Sequence, residues 1–164
     1  MTLNPASPLA ARLAAPMRPG QVAWIGLRPE RRQPLLAVPA ATLQPGSGLV
    51  GDHYRGRPEA ARQVTLIETE DLAAIASYLG RDRIGPEELR RNILVSGINL
   101  TALKGRCFRL GEAMLECTGF CHPCSRMEEV LGPGGYNAMR GHGGITARVL
   151  SGGGLRIGDA IIAV

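Results

Sequence analysis

Glycine and proline interrupt this chain so often that long helices have little room. There are 22 Gly and 12 Pro in 164 residues, and the stretches between them are short and rich in alternating apolar residues. Such punctuation suits a sheet-rich fold with tight connections better than a helical bundle. Residues 21–27 (QVAWIGL) read as a first strand ended by Arg28-Pro29, and residues 35–38 as a second ended by Pro39. Residues 46–52 are a glycine-dense loop that runs to His53. Residues 63–67 (QVTLI) and 92–95 are again strand-like, as are CFRLG and AMLECTGF on either side of Gly111. The last 20 residues read as a hairpin, with strands over 145–150 and 155–164 joined by the glycine turn 151–154.

One segment has a sustained helical period. Leu72, Ile75, Ala76 and Leu79 fall at i, i+3, i+4 and i+7, and Gly80 is a natural stop. Pro86 at a first-turn position predicts a short helix through Arg90. Ser125 and Glu128 have the spacing of a capping box before a helix that Gly132-Pro133 would end. Many short strands with two or three helices in their connections predict a mainly β domain, barrel-like in architecture, over residues 21–164. The Ala- and Pro-rich residues 1–20 are expected to form a loosely held arm.

The formal charge of +5 raises the question of nucleic acid. Most of it lies in residues 1–48, where Arg12, Arg18, Arg28, Arg31 and Arg32 face Glu30 alone, and the remainder mixes both signs. Aromatic residues for base stacking amount to only 4%. No nucleic-acid partner is expected, and an anionic small ligand held by a few arginines stays open. No run of about 18 apolar residues exists to span a membrane. The N-terminus has no long apolar core of a signal peptide, so a cytoplasmic location is expected.

Chemistry concentrates in Cys117-Thr-Gly-Phe-Cys121-His-Pro-Cys124, a C-x3-C-x2-C spacing. That spacing occurs in iron–sulfur sites that open an α/β barrel, but only 40 residues follow Cys124, and they read as a hairpin. Zinc would need a fourth ligand such as His122, His142 or His53, and no second C-x-x-C is present. Cys107 and Cys117 lie in strand patterns and read as small core residues. Cys124 differs. It precedes the expected helix start and has Arg126 two residues on, features that favour a thiolate acting as nucleophile or soft-metal ligand. A hydrolytic pairing with His122 or His142 is a further possibility, although no local cysteine-hydrolase signature accompanies it.

Several separated stretches together resemble one family. They are GLVGDH (residues 48–53), RQVTLI (62–67), RRNI (90–93), GINL (97–100), Leu110-Gly111, CHPC (121–124), GHGGI (141–145) with Ala147-Arg148-Val149, and Gly158-Asp159. In that order they are similar to the MOSC domain, named for the C-terminal domain of molybdenum-cofactor sulfurases, over about residues 46–164. The resemblance implies a β-barrel and a functional cysteine at the Pro-Cys step, here Cys124. In relatives that cysteine carries sulfur as a persulfide or ligates the molybdenum of a pterin cofactor, roles that suit a soft thiolate. Cys121 is a weaker candidate for the metal.

The resemblance also implies that Arg90 and Asn92 line the cofactor site, where a guanidinium can fork onto phosphate. Further candidates are Asp52, His53, Arg62, the glycine backbone at Gly141, Gly143 and Gly144, and Arg148. The expected cofactor is pterin-bound molybdenum, and the expected partners are a sulfur donor protein or an electron-transfer protein. Lys104 is the only lysine, so a pyridoxal-phosphate Schiff base is not expected. Three functions follow: a molybdenum-cofactor-linked sulfur carrier, a molybdenum-dependent reductase of N-hydroxylated substrates, or a zinc-stabilised binding module without enzyme activity.

Overall fold

The computed structural model describes residues 4–54 and 56–164. Seven strands close into a barrel: β1 (Gly20–Leu27), β5 (Val64–Glu68), β6 (Ile93–Ser96), β7 (Cys107–Leu110), β8 (Ala113–Phe120), β9 (Ile145–Ser151) and β11 (Ala160–Ala163). Their order around the wall is β11-β7-β8-β9-β5-β6-β1, and β1 pairs back onto β11 through Gly20 with Ile161 and Gln21 with Ala160. β2 (Leu36–Val38) extends the wall beyond the far end of β1. Three further strands, β3 (Ala40–Gln44), β4 (Gly48–Leu49) and β10 (Gly153–Arg156), make a small sheet in the order β10-β3-β4.

β5 and β6 are the parallel pair in an otherwise antiparallel barrel. A parallel pair needs a crossover, which α2 (Thr69–Tyr78) supplies on the periodic segment read from the sequence. Leu72, Ile75 and Ala76 of α2 are its buried face. They meet the outward residues of the same two strands. Leu66, Ile93 and Val95 point into the barrel, whereas the alternating Ile67 and Leu94 pack under α2. With Ile75 fully buried, this second core gains roughly 1.5–3 kcal/mol from that side chain alone. α3 (Ser125–Leu131) and α4 (Gly135–Met139) complete it through Met127, Ala138 and Met139.

The interior is packed with side chains, among them Phe108, Leu110, Leu115 and Ile161. The site described below therefore lies outside this packed interior, at one end of the barrel. α1 (Pro8–Leu13) buries no residue. It is tied to the barrel by Arg106, whose Nη1 donates to the Leu13 carbonyl. Residues 1–3 of the expected arm lie outside the described residues. No helix among those described is long and apolar enough to cross a membrane.

Three local expectations need correction. The C-terminal segments do not form a hairpin, because β9 pairs with β5 and β8, β10 with β3, and β11 with β7 and β1. Gly152 lets the chain leave one sheet for the other, and Gly158, at φ +95°, lets it return. Residues 86–90 make a turn rather than a helix, closed by Arg90 at φ +59°. The cap of α3 is Cys124, not Ser125. The Glu128 carboxylate does not reach back to the helix start but accepts from the Gly134 and Tyr136 amides, bracing the loop to α4.

Candidate functional site

The barrel end where β1 finishes and β5 and β6 begin carries a cavity of about 300 Å³. Its wall includes Arg28 after β1, Asp52 and His53 after β4, Arg62 and Thr65 at β5, Arg90 and Asn92 before β6, and Cys124 at α3. Thr65 alternates with the core residues Val64 and Leu66, so it faces outward into this space. Cys124 is exposed, with an extended backbone (φ −120°, ψ 171°).

Asn92 is the joint that holds the cavity open. Its Oδ1 accepts from the Thr65 amide (3.3 Å) and hydroxyl (3.1 Å). Its Nδ2 donates to the Gly26 carbonyl (3.4 Å) and to Asp52 Oδ2 (3.3 Å). Asp52 Oδ1 in turn accepts from the Arg28 amide at 2.7 Å, and the His53 amide donates to the Arg28 carbonyl at 2.6 Å. β1, β5, β6 and the glycine loop are thereby pinned to one another. The amide and carboxylate that the sequence offered as ligands spend their capacity on this frame.

The charged groups of the wall are mostly cationic. Arg28, Arg62, Arg90 and Arg91 line the cavity, and Arg126 stands close enough to weaken the hold of Arg90 on its proton. For Arg90 the main cause of that lowering is burial, followed by the charges of Arg28 and Arg126, with Cys124 acting the opposite way. Among the described residues none of these five guanidinium groups takes part in an ion pair. Arg28 Nε is buried and has no hydrogen-bond partner among the described residues. A buried donor without an acceptor costs roughly 1–3 kcal/mol, which a bound anion would recover.

Arg91 is 6% exposed and acts differently. Its Nε donates to the Gly143 carbonyl (2.7 Å), its Nη1 to Leu89 (2.7 Å) and its Nη2 to Cys121 (3.4 Å). It fastens the strap that leads to Cys124 against the glycine loop. Burial first, and Arg62 among its neighbours, lower its proton affinity, while Cys121 and Cys124 raise it. Arg90, beside it, holds a left-handed backbone that non-glycine residues seldom adopt, at a cost of order 1–3 kcal/mol. That conformation ends the turn after Leu89 and presents the guanidinium to the cavity.

The three cysteines of the motif do not converge. Cys117 is in the barrel core, where burial raises its thiol pKa. Cys121 is buried, and its sulfur accepts from Arg62 Nη2 at 3.4 Å. Among the described residues no three Cys, His, Asp or Glu side chains gather in a way that could hold a metal ion, so the zinc reading lacks a ligand set. Strand alternation explains this: Cys117 points inward from β8, and the chain has left the barrel by Cys124.

Cys124, Arg90, Asn92, Asp52, His53 and Arg62 thus come together, while the remaining candidates lie elsewhere. Gly141, Gly143 and Gly144 line a neighbouring hollow on the other side of the strap. Gly144, at φ +79°, has no room for a Cβ beside the Leu66 carbonyl. Arg148 pairs with Glu116 across β8 and β9 and does not line the cavity. The sequence reading did not single out Arg28, Arg91 and Thr65. The N-terminal charge excess and the Arg90-Arg91 doublet were the signals available.

A family model for the MOSC domain matches residues 32–162. A search of curated protein sequences returns no match. Among solved structures, the YuaD protein from Bacillus subtilis is 22% identical, with a TM-score of 0.77 over 89% of this chain and 96% of that one. YiiM from Geobacillus stearothermophilus is 16% identical, with a TM-score of 0.72 over 88% of this chain and 75% of that one. YiiM from Escherichia coli, also 16% identical, has a TM-score of 0.67 over 88% and 69%. At these identities the structures show a shared fold, and the family model, spanning most of the barrel, gives the assignment: this chain belongs to the MOSC domain family.

Proposed function

We propose that the cavity holds an anionic, pterin-type molybdenum cofactor and that the protein handles sulfur or the cofactor there, with Cys124 as persulfide carrier or molybdenum ligand. The observation that carries this reading is the pairing of an exposed cysteine with a wall of arginines that, among the described residues, have no carboxylate partners. The unpartnered Nε of Arg28 fits an acceptor oxygen of such a group. Arg62 and Arg90, which line the cavity, would fork onto phosphate or pterin oxygens. Asp52, Asn92 and Thr65 fix the spacing of these arginines, and Arg91 fixes the strap that presents Cys124. Such a cofactor, when bound, supplies two-electron redox chemistry at a metal centre.

Elemental analysis and intact-protein mass spectrometry, applied to the wild type and to Cys124→Ser, test the proposal. Sulfur carriage is expected to add about 32 Da at Cys124, the mass of one sulfur atom, removable by a thiol reductant. Molybdenum bound by the wild type and lost in Cys124→Ser is expected if the cysteine is its ligand, and points to a reductase served by a separate electron donor. A protein that carries neither sulfur nor molybdenum after expression in cells making the cofactor overturns the proposal.

A further inference from the structure

Cys121, His122 and Pro123 form one wall of a second hollow, of about 190 Å³, which Cys124 does not line. The rest of its wall is Leu100, Thr101, Phe120, Asp71 and the glycine backbone at 141, 143 and 144. The lining is largely apolar, with a few convergent polar groups, which is the usual make-up of a small-molecule site.

Unlike the first cavity, this hollow has no arginine among its wall residues. Asp71 is the one carboxylate in the wall, and its Oδ1 meets His142 Nδ1 at 2.6 Å. The Tyr78 ring lies against that imidazole with centroids 5.5 Å apart, fixing its position. Two more carboxyls flank Asp71 at the start of α2. Glu68 accepts from the amide of Leu100, a wall residue, at 2.8 Å, and Glu70 accepts from the Gly97 amide at 2.9 Å. The Phe120 ring already draws a cation, since Lys104 Nζ sits 4.8 Å from its centroid. His122 stands edge-on to the same ring.

We propose that this hollow is a second binding site, separate from the arginine cavity, for a small molecule with an apolar body and a protonated amine. The ammonium group would pair with Asp71, and the apolar body would lie between Phe120 and Pro123. The charge of Asp71 disfavours an anion of the same shape. Close backbone approach at Gly143 and Gly144, where a Cβ would strike the Cys121 and Leu66 carbonyls, gives the floor its shape. The inference does not depend on a cofactor being bound at Cys124.

The test is a titration of the full chain with benzylamine, followed through backbone amide shifts, with benzoate as the anionic counterpart. Benzylamine is expected to saturate in the low-millimolar range and to shift the Asp71, Thr101, Gly141 and Gly143 amides. Benzoate is expected to leave those amides in place and to shift residues beside Arg28 and Arg90 if it binds at all. Asp71→Asn is expected to weaken benzylamine at least tenfold. Because that change also disturbs His142, Thr101→Phe, which fills the hollow from an exposed wall position, is the second variant and is expected to abolish the shifts. Failure to saturate, shifts confined to the arginine cavity, or binding that survives both substitutions overturns the proposal. Loss of anion binding at Cys124 with benzylamine binding intact would count against the cofactor reading alone.

Discussion

Replacing Glu68 with glutamine is expected to stabilise the fold at pH 8 and to leave it nearly unchanged at pH 4. In the native protein the Glu68 carboxyl is raised from 4.5 to about 7, first by burial and then by its neighbours Asp71 and Glu70, against the lowering effect of the Leu100 amide. A raised acid keeps its proton in the folded state after the unfolded chain has lost it. Its presence therefore costs nothing below about pH 4.5, costs progressively more as pH rises to about 7, and costs a constant amount above that. At about 1.4 kcal/mol per tenfold change in affinity the full shift corresponds to roughly 3 kcal/mol, an upper bound for a side chain only half-buried. Allowing for solvent screening, the gain in the variant at pH 8 is about 1–2 kcal/mol. A glutamine Oε1 can still accept from the Leu100 amide, so that bond is not forfeited. Urea denaturation of both proteins between pH 4 and pH 8 reads the difference directly. A variant that is less stable at pH 8, or a difference that does not grow between pH 4.5 and pH 7, refutes the reasoning.

Gly144→Ala is expected to destabilise by about 2–4 kcal/mol in the same assay, since its Cβ would strike the Leu66 carbonyl and its backbone is left-handed. Asn92→Ala removes the joint between β1, β5 and the glycine loop, and a loss of about 2–3 kcal/mol is expected, with weaker anion binding as a consequence. Arg148→Ala breaks a partly exposed pair with Glu116 and a 3.5 Å hydrogen bond to the Glu59 carbonyl, and is expected to cost about 1 kcal/mol or less, with no change in anion binding or in the reactivity of Cys124.

The barrel was legible because its signals are local. Alternation marks β1, β5, β8 and β9, and the one helical period marks the crossover that a parallel pair requires. The closing hairpin was misread for the complementary reason. Two strands separated by a glycine turn look like neighbours, yet β9, β10 and β11 pair with strands distant in the chain, which no local pattern records. Cys124 was legible from its place before a helix start, Arg90 and Asn92 from family-like motifs, and the three do share one cavity. The role of Asn92 was not legible, since its partners Thr65, Gly26 and Asp52 come from three separate segments. Arg28 read as part of a general charge excess, and only the fold shows that it shares a cavity with the cysteine. The capping-box spacing at Ser125 was also misleading, because the Glu128 carboxylate found better donors in the next loop.

The central claim is that Cys124 sits in a cavity built to receive anions. In a Cys107→Ser background, where Cys117 and Cys121 are buried, alkylation reports Cys124. The rate with iodoacetate, divided by the rate with iodoacetamide, is expected to exceed that of a free cysteine peptide by about tenfold at low ionic strength. That excess is expected to shrink with added salt and to fall in Arg62→Ala and Arg90→Ala. A ratio equal to the peptide's, indifferent to salt and to both substitutions, would contradict the account.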